Sequence, residues 1–339
     1  MNLIRAELER LAARRFVQLM VVLLALAFTV TAATTLGGSH RPSPVEVTRA
    51  QSLAAEEVSR MAADHDRCLR IKAGEVPVTE ATGYVPADCS ELDPVLKDRL
   101  PIASDYLQNV FVFERQARPL VYFLIAFLAL FGFLVGASYI GADLNSGGVV
   151  NLLLWRPRRL TVLGAKLGTL LTVVAALSVV ATLVYLLTFW TIGQSAGLPG
   201  ALTGQYWRDL GAIWGRGMLV VLLATAAGFA IATLGRHTSA ALGVLAAYAV
   251  VWELGARLVL EILQVARPDQ LMLSSYLTAW LRGRTEFWDD SLPCPGSSAQ
   301  FCSGGSYAIT WAPALAVLVL LTGAVTVAAF GVFRRRDLI

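Results

Sequence analysis

Six runs of more than 20 mainly apolar residues dominate this chain: 16–36, 119–140, 167–192, 212–234, 240–263 and 311–333. About 20 such residues suffice for a helix to cross the hydrocarbon core of a bilayer. An isolated apolar strand could not satisfy its backbone in lipid, so these runs read as helices. A β-barrel would show alternating segments of about 10 residues, and these runs do not alternate. Composition agrees. Apolar residues make up 56% of the 339 and charged residues 15%, with a mean hydropathy of +0.61. A soluble domain carries about 25% charged residues. Disorder, a collagen-like chain and a coiled coil are excluded on the same grounds. The expected fold is an all-α polytopic membrane protein with six transmembrane helices. The first run is longer than the 7–15 residues of a usual signal-peptide core, which favours a span over a cleaved leader.

Lys and Arg near span ends set orientation. Arg5, Arg10, Arg14 and Arg15 precede the first run, and Arg156, Arg158, Arg159 and Lys166 lie between the second and third. Arg236 lies between the fourth and fifth, and Arg334, Arg335 and Arg336 follow the sixth. These segments alternate with ones poorer in such residues. The short connection at 193–211 has Arg208 alone. Both termini are therefore expected in the cytoplasm, with the chain in the plasma (cytoplasmic) membrane. The net charge of +4 follows this topology and is not a nucleic-acid signature. Segments 37–118 and 264–310 then lie outside. All four cysteines, Cys68, Cys89, Cys294 and Cys302, fall in these two segments, as in an oxidising compartment. Cys68–Cys89 with Cys294–Cys302 is the simplest of three pairings; the alternative is four free thiols. No spacing suits a metal site.

Residues 1–15 form an amphipathic segment, with Leu3, Ile4, Leu8, Leu11 and Ala12 at helical spacing. It either lies in the inner headgroup layer or simply extends the first span. Segment 37–118 is expected to be a small, mostly helical, disulfide-containing extracellular cap. Its helices should cover 45–71, with Val45, Leu53, Val58, Met61 and Leu69 as apolar positions, and 104–117, with Tyr106, Leu107, Val110 and Phe111 on one side. Residues 268–288 are too polar to span and apolar enough, with Trp280, Phe287 and Trp288, for the outer interface. Residues 289–306 read as turns.

Segment 141–166, GADLNSGGVVNLLLWRPRRLTVLGAK, is more apolar than a linker needs. Asn145, Ser146 and Gly147 break the emerging helix. A two-turn apolar helix can follow, ended by Pro157, with Arg158 and Arg159 just after. Such a helix suits a groove on a cytosolic partner or an anionic lipid surface. Here the chain resembles the membrane subunit of ABC type-2 exporters. Their first inner segment has an acidic residue, a small pair, an apolar run, Pro, basic residues, then Lys at the third span. Asp143, Gly147-Gly148, Leu152-Leu153-Leu154, Pro157, Arg158-Arg159 and Lys166 follow that order, with Asp for the frequent Glu and Gly-Gly for Gly-Thr. The turn at 235–240 and the basic tail at 334–339 match the family habit.

The resemblance implies a coupling helix at 142–157. It would present Asp143, Ser146, Gly147, Gly148, Leu152, Leu153, Arg156, Pro157, Arg158 and Arg159 to a separate ATPase subunit. It implies two permease and two ATPase subunits, the second permease being another copy or a homologue, with ATP and Mg bound by the partner and no cofactor on this chain. The sequence has no Walker motif, so this chain is not expected to hydrolyse ATP, and no hydrolase or zincin motif. Intramembrane charges are costly and merit a role. Glu253, Arg257 and Glu261 recur every four residues along the fifth run, with Arg216 near the end of the fourth. They read as a polar lining or outer gate, or as an ion pair pinning two spans. Gly132 and Gly136 permit close helix packing. The leading functional expectation is a permease exporting a hydrophobic or amphipathic substrate. The alternatives are a non-transporting scaffold or sensor with a ligand-binding cap, and an ion-gradient-driven transporter.

Overall fold

The structure is a computed structural model that describes residues 9–75, 89–97, 100–146, 159–289 and 305–335. Residues 9–12 are helical, and the chain breaks at 13–14 before α1 (Arg15–Gly37). The cap helix α2 (Pro44–Lys72) follows. A two-residue strand β1 (Phe111–Val112) runs directly into α3 (Phe113–Asn145). After α4 (Arg159–Ala196) come β2 (Gly197–Leu198) and α5 (Gly204–Gly235). The fifth crossing is wound in three pieces: α6 (Thr238–Ala247), a π-helix (Tyr248–Ala256) and α7 (Arg257–Ile262). A short helix α8 (Leu273–Arg282) and a hairpin of β3 (Arg284–Asp289) and β4 (Gly305–Thr310) precede α9 (Trp311–Arg335).

Among the described residues, six helical segments are thus long and apolar enough to cross a membrane. Apart from the fifth, each apolar run of the sequence lies inside a helix that extends beyond it.

The core is the seam between α3 and α5. Its closeness depends on glycine. A Cβ on Gly136 would stand 2.5 Å from the Thr225 carbonyl oxygen, and one on Gly132 would collide with the Thr225 hydroxyl. Gly217 and Gly228 do the same for α5 against Ile125 and the Phe133 carbonyl. The small-residue spacing at 132 and 136 therefore serves packing within this chain. The α4 helix joins through Trp214, whose Nε1 donates to Thr182 Oγ1 at 3.0 Å. Tilted ring contacts link α1 to α4, with Phe28 and Tyr185 at 5.5 Å, and Tyr185 continues to Phe189 within α4 at 4.6 Å.

A clasp ties the cap-side ends of these helices. Phe111 and Val112 pair in parallel with Gly197 and Leu198. Ser39 Oγ accepts from the Phe111 N–H at 2.8 Å and donates to the Ala196 carbonyl. Glu114 Oε2 accepts from the Ala201 N–H at 2.7 Å. This corrects the helix expected over 104–117. Four successive residues, Val110 to Phe113, are all buried. A helix face cannot bury four in a row against one neighbour, whereas a strand entering a helix end can.

The cap itself is built on α2. Ser43 caps it reciprocally with Glu46, and Pro44 occupies the first turn. Cys68 and Cys89 are disulfide-bonded, joining α2 to the turn Cys89–Leu92. The buried residues of α2 are Ala50, Ala54, Cys68 and Ile71, while Val45, Leu53 and Leu69 are exposed. The short turns packed on α2 cover the side that carries Ala50, Ala54, Cys68 and Ile71.

In the second cap-side segment two strands flank the stretch 289–306 read as turns, of which 290–304 lie outside the described residues. Arg284 to Asp289 pair antiparallel with Thr310 to Gly305. Phe287 and Tyr307 stack across the pair, 5.6 Å apart. Alternation in Thr285, Phe287 and in Tyr307, Ile309 is the signal that could have shown it. Cys294 and Cys302 lie outside the described residues.

Candidate functional site

The face that carries the N-terminus, the end of α3 and the start of α4 holds one tightly knit polar cluster. Asp143 sits in the last turn of α3. Lys166, two turns into α4, donates from Nζ to Asp143 Oδ2 at 2.8 Å and is only 2% exposed. Arg14, in the extended break before α1, pairs through Nη2 with Asp143 Oδ1. Its Nη1 donates to the Ser138 carbonyl at 3.2 Å. Both cations also face the Tyr139 ring, at 4.9 Å for Arg14 and 5.0 Å for Lys166. One carboxylate therefore joins three separate stretches of chain.

The electrostatics explain the arrangement. A helix C-terminus carries partial negative charge, which favours nearby cations. An aspartate there is unfavourable unless cations compensate it, and Asp143 has two. An unpaired buried ammonium is strongly penalised, so the buried Lys166 side chain needs the Asp143 carboxylate beside it. The Tyr139 ring face adds a second attraction.

This cluster brackets the segment singled out in the sequence. Asp143 and Ser146 end α3, where the Ser146 N–H donates to the Ala142 carbonyl at 3.0 Å. Arg159 opens α4. Gly147, Gly148, Leu152, Leu153, Arg156, Pro157 and Arg158 lie outside the described residues. The break at 13–14 separates residues 9–12 from the first span, and Leu11 is buried in the main core. In the sequence Arg14 reads as a topology marker, and Lys166 as a topology marker and the last residue of the family pattern. The missed signal was that Asp143 is the one acidic residue between Glu114 and Asp209, so the basic residues near it had a single carboxylate to find.

The span-five charges are arranged otherwise than expected. Glu253 and Arg257 do not pair. Glu253 Oε2 accepts from the Tyr248 hydroxyl at 2.6 Å and Oε1 from the Ser274 N–H at 3.1 Å. Arg257 pairs with Glu261 at 3.1 Å and lies 3.6 Å from Asp269. The π-helical winding of 248–256 is the reason, since a wider turn moves residues four apart off a common face. Arg216 joins none of the three. Its Nη1 donates to the Leu281 carbonyl at 3.4 Å, against Gly283. These charges hold span five and span four separately to residues 269–283. Among the described residues, no group of three or more His, Cys, Asp or Glu side chains could hold a metal ion.

No curated protein and no solved structure matches the chain. A family model does, over residues 1–338, and its description is ABC-2 family transporter protein. With six helices able to span a bilayer and that match over its whole length, the chain belongs to the ABC-2 family and is a multi-pass membrane transporter subunit.

Proposed function

We propose that this chain is the permease of an exporter driven by ATP hydrolysis on separate subunits. Two permeases, identical or homologous, work with two ATPases that bind ATP and Mg. The substrate is hydrophobic or amphipathic. The termini and segment 141–166 face the cytoplasm of a plasma-membrane protein, and the disulfide-bonded cap faces outward.

The observation that carries this reading is the Arg14–Asp143–Lys166 cluster. A segment that only linked two spans would need no buried ion pair at its base. Here the residues on both sides of 147–158 are joined to each other and to the N-terminal segment. A push on 147–158 by a closing ATPase pair reaches α3 and α4 through Asp143. Arg14 carries it to α1. The glycine seam then carries it from α3 to α5, because close-packed helices transmit displacement with little give.

The test is Leu153→Asp in the full chain, isolated from its native membranes in mild detergent. The expected result is a folded permease, with its cap disulfide intact, that no longer retains ATPase activity. An unchanged level of associated ATPase would remove 142–157 from the contact.

A further inference from the structure

A cavity of about 530 Å³ lies on the cap side between α3, α5 and α8. Its lining includes three arginines, Arg118, Arg216 and Arg282, and one carboxylate, Asp209. Tyr122, Ala212 and Ile213 complete it. Arg118 lies 3.5 Å from Asp209, so one of the three charges is balanced. Arg282 has no carboxylate partner among the described residues. Arg216 uses one donor, on the Leu281 carbonyl at 3.4 Å. A guanidinium has five donors, so most of its capacity remains for something in the cavity.

Arg216 is held in place. Trp280 Nε1 donates to the Arg216 carbonyl at 2.9 Å, which docks α8 on α5. Gly283 ends α8 at φ +90°, and a Cβ there would press on Arg216 Nη1 at 3.1 Å. The site's depth is equally defined. Arg118 immediately precedes the apolar run 119–140, and Arg216 lies about one turn inside the apolar run 212–234. Arg118 therefore sits at headgroup level, and the long Arg216 side chain can reach that level from one turn below it.

The geometry points to a binding site for a phosphate ester, occupied by the headgroup of an anionic phospholipid. Two uncompensated guanidinium forks match phosphate oxygens in shape and charge. The position at the apolar boundary selects a phosphate that carries acyl chains over one free in solution. The site is independent of any ATPase contact.

The test is native mass spectrometry of the delipidated full chain, titrated with short-chain phosphatidylglycerol, with phosphatidylcholine and with inorganic phosphate. The wild-type chain is expected to prefer phosphatidylglycerol over phosphatidylcholine by about tenfold, roughly one charge-assisted hydrogen bond. Arg216→Gln with Arg282→Gln should abolish that preference. Asp209→Asn should increase binding several-fold by freeing Arg118, a gain that misfolding cannot imitate. Equal binding of both lipids, an unchanged preference in the double variant, or weaker binding in Asp209→Asn would each overturn the site. Displacement of phosphatidylglycerol by millimolar inorganic phosphate would support the phosphate chemistry and overturn its lipid source.

Discussion

Span two and span five are similar in sequence and opposite in structure. Both are apolar over more than 20 residues. Span two, α3, is buried along most of its length against α5, with glycines where the backbones meet. In span five no residue from 242 to 262 is buried within the chain. Hydropathy alone could not separate them, because lipid and protein interior are equally apolar surroundings. The difference lies in small residues and in paired charge. The α3 helix has Gly132 and Gly136 to meet α5, and Asp143 to meet Arg14 and Lys166. Span five has a π-helical middle, and its ionisable residues turn towards the cap-side segment. One span belongs to the chain's rigid frame; the other leaves its faces to its surroundings.

Removing the charge at the base of the frame should have the largest effect. Asp143→Asn leaves Lys166 buried without its counter-ion, a loss of about 3–5 kcal/mol. Adding Lys166→Met should recover most of it, since no unpaired buried ammonium then remains. Glu261→Gln breaks the exposed Arg257 pair in span five and should cost less than about 1 kcal/mol. Thermal unfolding in detergent compares the three. Equal losses for Asp143→Asn and Glu261→Gln would mean that span two is no more tightly tied into the chain than span five.

Overpacking comes next. Gly136→Leu forces a side chain into the Thr225 and Phe229 backbone and should cost about 3 kcal/mol or prevent folding. Gly243→Leu in span five meets nothing within 4 Å and should stay within about 0.5 kcal/mol of wild type. The same melts decide it. A tolerated Gly136→Leu would mean that the seam is looser than its geometry.

The smallest effect lies in the cap and leaves both spans untouched. The Ser43 N–H, then its hydroxyl, then His40 hold the Glu46 carboxyl below its ordinary 4.5. Its folded value is lowered, so its contribution is complete above 4.5 and fades as pH falls through the lowered value. Ser43→Ala removes one of these bonds and should move the Glu46 titration up towards 4.5. Carboxyl chemical shifts against pH would show it, and an unmoved titration would contradict the capping geometry.

Much of this architecture was legible from the chain. The spans follow from apolar length, the cap disulfide from where the cysteines fall, and the seam from glycines four apart. What stayed hidden depends on partners distant in sequence. Nothing near Phe111 announces Gly197, so a strand start read as a helix. Glu253 and Arg257 are four apart, and only the π-helical winding reveals that they part company. The Asp143 cluster draws on residues 14, 139, 143 and 166. Its three charges were visible, but their convergence needed α3, α4 and the break before α1 to meet.

In the proposed function, a separate ATPase drives the frame from the face that holds Arg14, Asp143 and Lys166. The most direct measurement is the mass and nucleotide-hydrolysis activity of what co-purifies with the tagged, unmodified chain from its native membranes. The account predicts an assembly of two permeases with two Walker-containing subunits that hydrolyses ATP. A chain that emerges alone, folded and without ATPase activity, would contradict it.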